Sequence, residues 1–344
     1  MSMFVETIEE KHEFRHVPNS DPTFNESTYY NFACPGGGPV GWLRVAMQPN
    51  QPASQAGVMI FLPDRALFTY QRSSTSPSDG LTAGDLTFEI EVPHQRQHLH
   101  FQGTLAEFLD PRALLDPSKA FREAPRRAVK IDLHVRAHGP AFGTNGEDAG
   151  NYVEQTMALG HFEQFIRVEG SLTVDGEEVL VDGSGLRDHS WGPRDWAAPS
   201  RYRWAVANLD DGTQFMALLL TRRNGDVTRA AAVVRDGRLS EAQLLGLTVD
   251  WTPDGFGEQV VIRLASADGP LTLTARGRQP LRFFPLRHRR QGEEGDLLDT
   301  RIGYSAYDFS TDDGRTGTGM VEILDQLVDG LPQSIRETDH ARDR

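Results

Sequence analysis

Short segments in which apolar and polar residues alternate run along most of this chain. In the segment 86–92, Leu86, Phe88, Ile90 and Val92 fall on one side and three polar residues fall on the other. This period of two is typical of an antiparallel strand with one buried face. Similar segments recur about every 8–14 residues between turns rich in Gly, Pro and Asp. Amphipathic helical patterns are almost absent, so the chain is predicted to be an all-β sandwich or barrel.

Turn-forming dipeptides mark where neighbouring strands should pair. Asp175-Gly176 and Asp236-Gly237 each stand between two short runs that favour strands. Asp-Gly fits the type I′ turn, whose two central residues need positive φ, so both dipeptides predict tight hairpins. Residues 152–159 and 161–168 fit either one long strand or two separate strands.

Two stretches lack the alternating pattern. Residues 1–28 are polar and have no clear period, which indicates an arm on the protein surface. Residues 109–124 contain few strand-forming residues and suggest a helical or irregular segment. Neither stretch changes the prediction of an all-β fold.

Two pairs of similar segments, in the same order and at nearly equal spacing, indicate that the second half of the chain repeats the first. The pairs are Trp42-Leu-Arg-Val-Ala46 with Trp204-Ala-Val-Ala207, and Leu86-Thr-Phe-Glu89 with Leu247-Thr-Val-Asp250. We therefore expect two β-barrel domains, one over residues 1–180 and one over residues 181–344. Antiparallel barrels of about eight strands have no exposed edges and can enclose one small ligand.

Composition excludes several classes of partner. The 344 residues carry a formal net charge of −14, which argues against nucleic acid or an anionic membrane surface as the main partner.

The single cysteine, Cys34, cannot form an internal disulfide. The N-terminal residues lack a signal-peptide pattern, and no run of about 18 apolar residues predicts a membrane span. A cytoplasmic location is expected, and the sequence leaves open a homodimer.

The stretch 183–196 concentrates the reactive side chains of the chain between glycines and a proline. Within it, Asp188 and His189 precede Trp191 and Trp196. A carboxyl group in an apolar cavity has a raised pKa, so Asp188 could donate a proton near neutral pH. His189 could orient that acid or handle water as a base. Aromatic rings could stabilise a developing carbocation, which is the predicted role of the tryptophans.

A second candidate region, 161–164, lies about 25 residues earlier. In a strand, His161 and Glu163 would share one face and Gln164 would lie on the other. Glu163 is the predicted partner of the Asp188 acid. The predicted ligand contacts are His161, Gln164, Trp191, Arg194, Trp196 and Trp204.

A structural interpretation remains open for these residues, and other residues of the chain offer a possible metal site. Arg187, Asp188, Arg194 and Asp195 could instead form an ion-pair network that locks a domain junction, while the tryptophans fill the core. Pairs of alternating residues could supply a three-ligand metal site on adjacent strands: His98 with His100, and Asp132 with His134. Because no tight metal motif is present, the sequence predicts no metal and no cofactor.

Three segments resemble one family of bacterial proteins. They are Gly160-His-Phe-Glu-Gln164, Gly170-Ser-Leu-Thr-Val-Asp-Gly176 and Gly183-Ser-Gly-Leu-Arg-Asp-His-Ser-Trp-Gly-Pro-Arg194. They are similar to the tandem-lipocalin group, which includes the carotenoid 1,2-hydratase (hydroxyneurosporene synthase) type and its AttH-like relatives. The match is close to the uncharacterised branch over residues 150–210 and distant from the carotenoid hydratases. The resemblance implies two lipocalin-like barrels and an apolar ligand.

These observations predict a protein that binds a hydrophobic small molecule of isoprenoid, polyketide or steroid-like type. The predicted chemistry is acid–base without a cofactor: hydration, isomerisation or cyclisation. Two alternatives stay open. One is a carrier that binds an apolar ligand without transforming it, and the other is a structural or interaction module with filled barrels.

Overall fold

A computed structural model describes residues 8–74, 80–146, 157–267, 269–278, 283–291 and 297–335. Its regular structure is almost entirely antiparallel strand, arranged in two sheets of eleven strands each. The predicted all-β fold is confirmed. Helical structure in the described ranges is short: α1 (Pro117–Glu123), two 3₁₀ turns, Glu10–Glu13 and Pro111–Leu115, and the helical residues 333–335.

The first sheet forms a closed ring. Its strands are β1 (Phe24–Ala33), β2 (Val40–Gln48), β3 (Ala53–Phe61), β4 (Ala66–Ser73), β5 (Leu81–Ala83), β6 (Leu86–Val92), β7 (Arg96–Phe108), β8 (Arg126–Ala137), β9 (Phe142–Thr144), β10 (Gly160–Val174) and β11 (Glu177–Pro193). The order is β4-β3-β2-β1-β11-β10-β8-β7-β6-β5, and β4 also pairs with β7. This extra pairing joins β4 to β7, so eight strands close into a barrel.

Alternate residues of these strands fill the interior of the first barrel. Tyr30, Leu43, Val45 and Ile166 belong to one buried apolar cluster. Because side chains alternate between the two faces of a strand, these core positions show which side chains point into the barrel, and the residues directly next to them point outward. The same alternation decides where each candidate site residue lies.

The second sheet repeats this strand order. Its strands are β12 (Pro199–Leu209), β13 (Gln214–Arg222), β14 (Val227–Arg235), β15 (Arg238–Glu241), β16 (Gln243–Trp251), β17 (Gly257–Ser266), β18 (Gly269–Gly277), β19 (Phe284–Gln291), β20 (Leu297–Thr311), β21 (Thr316–Val328) and β22 (Leu331–Pro332). The order is β15-β14-β13-β12-β21-β20-β18-β17-β16. In each sheet the first long strand therefore pairs with the last long strand. Trp42 and Trp204 do not occupy matching places, since Trp42 lies on β2 and Trp204 lies on β12, the first strand of its sheet.

The chain divides into two compact units at Asp195 and Trp196. The first unit holds the residues up to Leu109, Glu123–Asp195 and Val234–Leu239, and the second holds the remainder. Strand β11 pairs with β1 and β10 along its length, which keeps it in the first sheet. The boundary in the structure thus lies after this strand, whereas the sequence placed it before residue 181.

Local predictions met different outcomes. Both Asp-Gly dipeptides are confirmed as tight turns, with φ of 50° and 92° at Asp175 and Gly176 and 51° and 72° at Asp236 and Gly237. Residues 161–168 lie in the single strand β10, while residues 152–156 fall outside the described residues. In the described ranges, no helix is long and apolar enough to cross a membrane.

The prediction of a surface arm over residues 1–28 is right only in part: Phe14 and residues 17–20 are exposed, but other parts of the segment are not. Strand β1 begins at Phe24, and His12 and Glu13 are almost fully buried. Two polar side chains of the arm, Glu13 and His16, bind charged groups inside the first unit, as the next section describes.

Candidate active site in the first unit

Strand β11 lies between β1 and β10 and carries the reactive stretch found in the sequence. Arg187 is paired with Tyr30 on β1 and with Gln164 on β10. Tyr30 belongs to the barrel core, so Arg187 points to the inner face. Asp188 is the next residue and therefore points to the outer face. Because successive side chains of a strand point to opposite faces, the residues of this stretch form two clusters, one on the inner face and one on the outer face.

The inner-face cluster is built around Arg187, whose side chain is fully buried. Its guanidinium binds Glu13 of the arm in a bidentate ion pair, at 2.5 Å from Nη1 to Oε1 and 2.7 Å from Nη2 to Oε2. Its Nε also donates to Gln164 Oε1 at 2.9 Å. Gln164 in turn donates to two backbone carbonyls, those of His94 and Gly139. The charge of Arg187 is thereby offset inside the barrel.

A second buried carboxylate, Glu26, completes the inner-face cluster. Glu26 Oε1 accepts from His189 Nε2 at 3.0 Å and from His16 Nδ1 at 2.7 Å, and the His16 backbone amide also donates to it. Burial would raise the pKa of Glu26, but the two histidine hydrogen bonds outweigh it and lower the pKa to about 2. Glu26 is therefore a carboxylate at neutral pH. Within the described residues, Nδ1 of His189 has no hydrogen-bond partner.

Trp191 packs over this cluster. Its ring stacks on His16 with 3.7 Å between ring centres, and it meets the edge of the His189 ring at 5.7 Å. The position opposite Trp191 on β10 is Gly160, where a Cβ would collide with the indole ring. A glycine is therefore required where the tryptophan lies flat across the strand.

The outer-face cluster is centred on Asp188. Glu163 on β10 and Tyr29 on β1 are the residues directly opposite Asp188. Arg44 on β2 lies opposite Tyr29. Side chains in directly opposite positions have Cβ atoms about 5 Å apart, so the two carboxyl groups and the phenol are neighbours. His161 shares this face, two residues from Glu163 along the same strand.

The pKa values of this cluster depart from those of exposed groups. Burial raises the pKa of Asp188 to about 6, although Arg194, Arg44 and His189 each act to lower it. Burial also lowers the pKa of His161 to about 3, together with repulsion from Arg194 and His189. At neutral pH His161 is thus uncharged, and Asp188 can exchange a proton with a substrate.

The predicted site residues consequently fall into three groups. Asp188, Glu163, His161 and Arg194 belong to the outer face or its edge, where Arg194 Nη2 donates to Ser190 Oγ at 2.6 Å. His189, Gln164 and Trp191 belong to the inner face. Trp196 and Trp204 lie in the second unit, where Trp196 stacks on His288 at 5.2 Å.

The alternative of an ion-pair network needs a correction. The network was expected to join Arg187, Asp188, Arg194 and Asp195, but Asp188 follows Arg187 directly on β11 and points to the opposite face. Its carboxylate partner is Glu13, which is 174 residues away in the chain. A period-two strand turns successive side chains in opposite directions, so adjacent charges rarely pair within it.

Two groups of side chains present possible metal-binding atoms within 4.8 Å of one another: His16, Glu26 and His189, and His98, Asp132 and His134. The first group is accounted for by the hydrogen bonds described above, and we assign it no metal. The second group is on the outer surface of β7 and β8 and is considered below.

The first unit also contains a cleft of about 590 Å³. It is bordered by the arm and by β5 and β6, and its lining includes Glu13, Phe14, Leu81, Phe88 and Ile90. A volume of this size suits one small organic ligand.

A family model described as a domain of unknown function (DUF7064) matches residues 9–327. The chain belongs to this family. The matched region covers the arm and nearly all strands of both sheets, so the family is defined by the whole two-unit fold. No curated protein sequence matches the chain.

Solved structures share the fold of this DUF7064 member. A putative AttH from Nitrosomonas europaea is 14% identical, with a TM-score of 0.60 over 95% of this chain and 98% of that one. CghA is 13% identical, with a TM-score of 0.56 over 95% and 97%, and its structure with Sch210972 gives 0.57. At such identities the likeness shows the fold, and it confirms the resemblance drawn from the sequence.

Several residues of the two clusters were missed by sequence reasoning: Glu13, His16, Glu26, Tyr29 and Arg44. Two signals could have found some of them. If the strand predicted from Tyr29 is extended back to Phe24, Glu26 falls on the same face as Tyr30. The arm also places His12 and His16 one helical turn apart with Glu13 between them.

Proposed function

We propose that this DUF7064 member binds a hydrophobic small molecule against the outer-face cluster and transforms it by acid–base chemistry. Hydration, isomerisation and cyclisation of an isoprenoid, polyketide or steroid-like compound are the reactions in scope. The observation that carries the proposal is the position of Asp188: a half-buried carboxyl group opposite Glu163 and Tyr29, with a pKa near 6. Paired titratable groups with separated pKa values suit acid and base roles.

In the proposed reaction, the Asp188 carboxyl group donates its proton to an alkene carbon. The positive charge that develops on the adjacent carbon is stabilised by aromatic faces, for which Tyr29 and Trp42 are available on this side of the sheet. Glu163 or neutral His161 then accepts a proton, either from an attacking water or from a neighbouring carbon. The first outcome is hydration and the second is isomerisation.

The surroundings support this assignment. Tyr29, Trp42 and Glu163 are each at most 5% exposed, so the face is shielded from water although it turns away from the barrel interior. Asp188 itself is only partly buried, which leaves it accessible to a ligand. CghA, a protein of the same fold, has a structure with Sch210972, and this supports a ligand-binding role for the fold.

Proton transfer to carbon can be tested with deuterium. Squalene and geranylgeraniol are incubated with the protein in D₂O, and deuterium on carbon is measured by mass spectrometry. The wild-type protein should incorporate deuterium, and Asp188→Asn should reduce the rate about 100- to 10,000-fold because it removes a general acid. Asp182→Asn is the matched control, since Asp182 is an exposed aspartate on the same strand face. Absence of incorporation by wild type, or equal rates in both variants, would overturn the proposal.

A carrier without chemistry is the second candidate, and the 590 Å³ cleft favours it. Phe14 lines the cleft and is 51% exposed, whereas Val17 on the same arm is 92% exposed and outside the lining. If the cleft holds an apolar ligand, Phe14→Glu should weaken binding of the fluorescent probe N-phenyl-1-naphthylamine at least tenfold. Val17→Glu should leave probe binding unchanged. Equal probe affinities in the two variants would exclude the cleft as the carrier site.

A further inference from the structure

Three neighbouring strands place a group of histidines and acids on the outer surface of the first barrel. His98 on β7 lies directly between Glu89 on β6 and His134 on β8. Asp132 is two residues before His134 and therefore shares its face. The intervening residues Leu99 and Leu133 are buried in the core, so all four polar side chains point outward.

Three of these side chains converge. His98 Nε2 lies 2.8 Å from Asp132 Oδ1, and the imidazole rings of His98 and His134 stack at 4.6 Å between centres and 9° between planes. One donor atom from each of His98, Asp132 and His134 lies within 4.8 Å of the others. Two imidazoles and one carboxylate are the donor set of many open zinc sites.

We propose that His98, Asp132 and His134 bind a divalent transition-metal ion such as Zn²⁺. The site is separate from the outer-face cluster and does not depend on the proposed function. Zinc binds imidazole nitrogen at about 2.0–2.1 Å in tetrahedral geometry, which puts two of its ligand atoms roughly 3.3 Å apart. The 2.8 Å between His98 and Asp132 needs to widen by only about 0.5 Å, which side-chain rotation provides. The three residues leave a fourth position for water or another small ligand.

The residues around the triad are arranged to support a bound cation. Glu89 Oε2 lies 3.6 Å from His98 Nδ1, the ring nitrogen that would face away from the metal. A carboxylate in this place orients the imidazole and increases its basicity. Among the described residues, Lys130 is the one cationic side chain in contact with the triad, and its charge would repel a metal ion. Its Nζ lies 3.4 Å from Asp132 Oδ2. That contact uses the second carboxylate oxygen and leaves Oδ1 for the ion.

The side chains of this site are half-exposed, so the variants needed to test it should fold. The exposed fractions are 23% for the side chain of His98 and 39% for that of Asp132. Zn²⁺ binding to tag-free, EDTA-treated full-length protein is measured by calorimetry, and the Co²⁺ absorption spectrum reports the coordination geometry. We expect one ion per chain with tetrahedral Co²⁺ bands. His98→Gln and His134→Gln should each weaken binding at least 100-fold, and Glu89→Gln about tenfold.

Two control variants make the result decisive. His100 is in the same surface patch but outside the triad, and His100→Gln should change the Zn²⁺ affinity less than tenfold. His16 belongs to the buried group in the barrel, and His16→Gln should leave the affinity unchanged. Absence of binding, binding that survives both His98→Gln and His134→Gln, or binding that is lost in His16→Gln would each overturn the assignment.

Discussion

The inner and outer faces of strand β11 differ in how their charged side chains are paired. On the inner face, Arg187 is bound by Glu13, and His189 is bound by Glu26. On the outer face, burial raises the pKa of Asp188 to about 6 despite the lowering effect of four basic groups. The inner charges are compensated by specific partners, and the outer carboxyl group is not fully compensated.

This difference gives the two faces of one continuous stretch different roles: the inner-face residues stabilise the structure, and the outer-face residues are the proposed reactive groups. A buried ion pair with all its hydrogen bonds satisfied holds two segments together and resists protonation changes. An incompletely compensated carboxyl group titrates close to neutral pH, which is the property that a general acid needs. The inner face accordingly anchors the arm, and the proposed reaction belongs to the outer face.

The largest effect on this comparison should come from removing one partner of the inner ion pair. Glu13→Leu leaves Arg187 buried without its counter-charge, which we expect to lower the free energy of unfolding by about 3–5 kcal/mol. The double variant Glu13→Leu/Arg187→Met removes both charges and should recover most of that loss. Urea denaturation of the two variants checks this. If both are equally destabilised, the charge pair is not what anchors the arm.

A somewhat smaller effect is expected at the second inner carboxylate. The pKa of Glu26 is lowered to about 2 in the folded protein, so its contribution to stability is present above pH 4.5 and is lost as the pH falls toward 2. Glu26→Gln should therefore cost about 2–3 kcal/mol at pH 7, and less as the pH falls. Denaturation curves from pH 7 to pH 3 measure the change. A constant difference across this range would contradict a role for the carboxylate charge.

The sequence was sufficient to predict the fold because each strand carries its own signal. Alternation in β6 and the Asp-Gly turns depend only on neighbouring residues, and they survive in the structure unchanged. The end of the first unit was harder to predict. Strand β11 begins at Glu177, and its pairing with the distant β1 keeps it in the first sheet.

The candidate site was predictable only in part, for a related reason. Asp188, Glu163 and His161 were identified, but the sequence could not show that Asp188 and His189 point in opposite directions until the strand was placed. Glu13 and Glu26 come from the opposite end of the unit in sequence, so no local pattern connects them to Arg187 and His189. Polar residues in the arm resemble a solvated tail unless their buried partners are known.

The third prediction concerns the outer face, where the substitution should raise the free energy of unfolding and not lower it. The folded-state pKa of Asp188 is raised, so ionisation costs no stability below about pH 4, where the carboxyl group is neutral in both the folded and the unfolded state. The folded state loses stability as the pH rises from there through about 6. Asparagine cannot ionise, so Asp188→Asn should increase the free energy of unfolding by about 1–3 kcal/mol at pH 8 and hardly change it at pH 4. The titratable or charged groups on the face of Asp188 are Glu163, His161, Tyr29, Arg44 and Arg194.

The control for this pH dependence is Asp182→Asn, because Asp182 is exposed on the same strand. Its stability difference from wild type should be close to zero at both pH values. A stabilisation of Asp188→Asn that is as large at pH 4 as at pH 8 would show that the effect is packing and not ionisation.

The smallest expected effect tests how the inner face is closed. Gly160 lies opposite Trp191, and a Cβ at this position would collide with the indole ring. Gly160→Ala must displace the ring from His16, and we expect this overpacking to cost about 1–2 kcal/mol in urea denaturation. Gly303 is the matched strand glycine, since the nearest atom to an added Cβ is 3.7 Å away, and Gly303→Ala should be tolerated. Because Trp191 does not share the face of Asp188, Gly160→Ala should leave deuterium transfer to the alkene probes within about threefold of wild type, well short of the loss expected when a general acid is removed. A large loss of turnover in this variant would mean that the two faces act as one site.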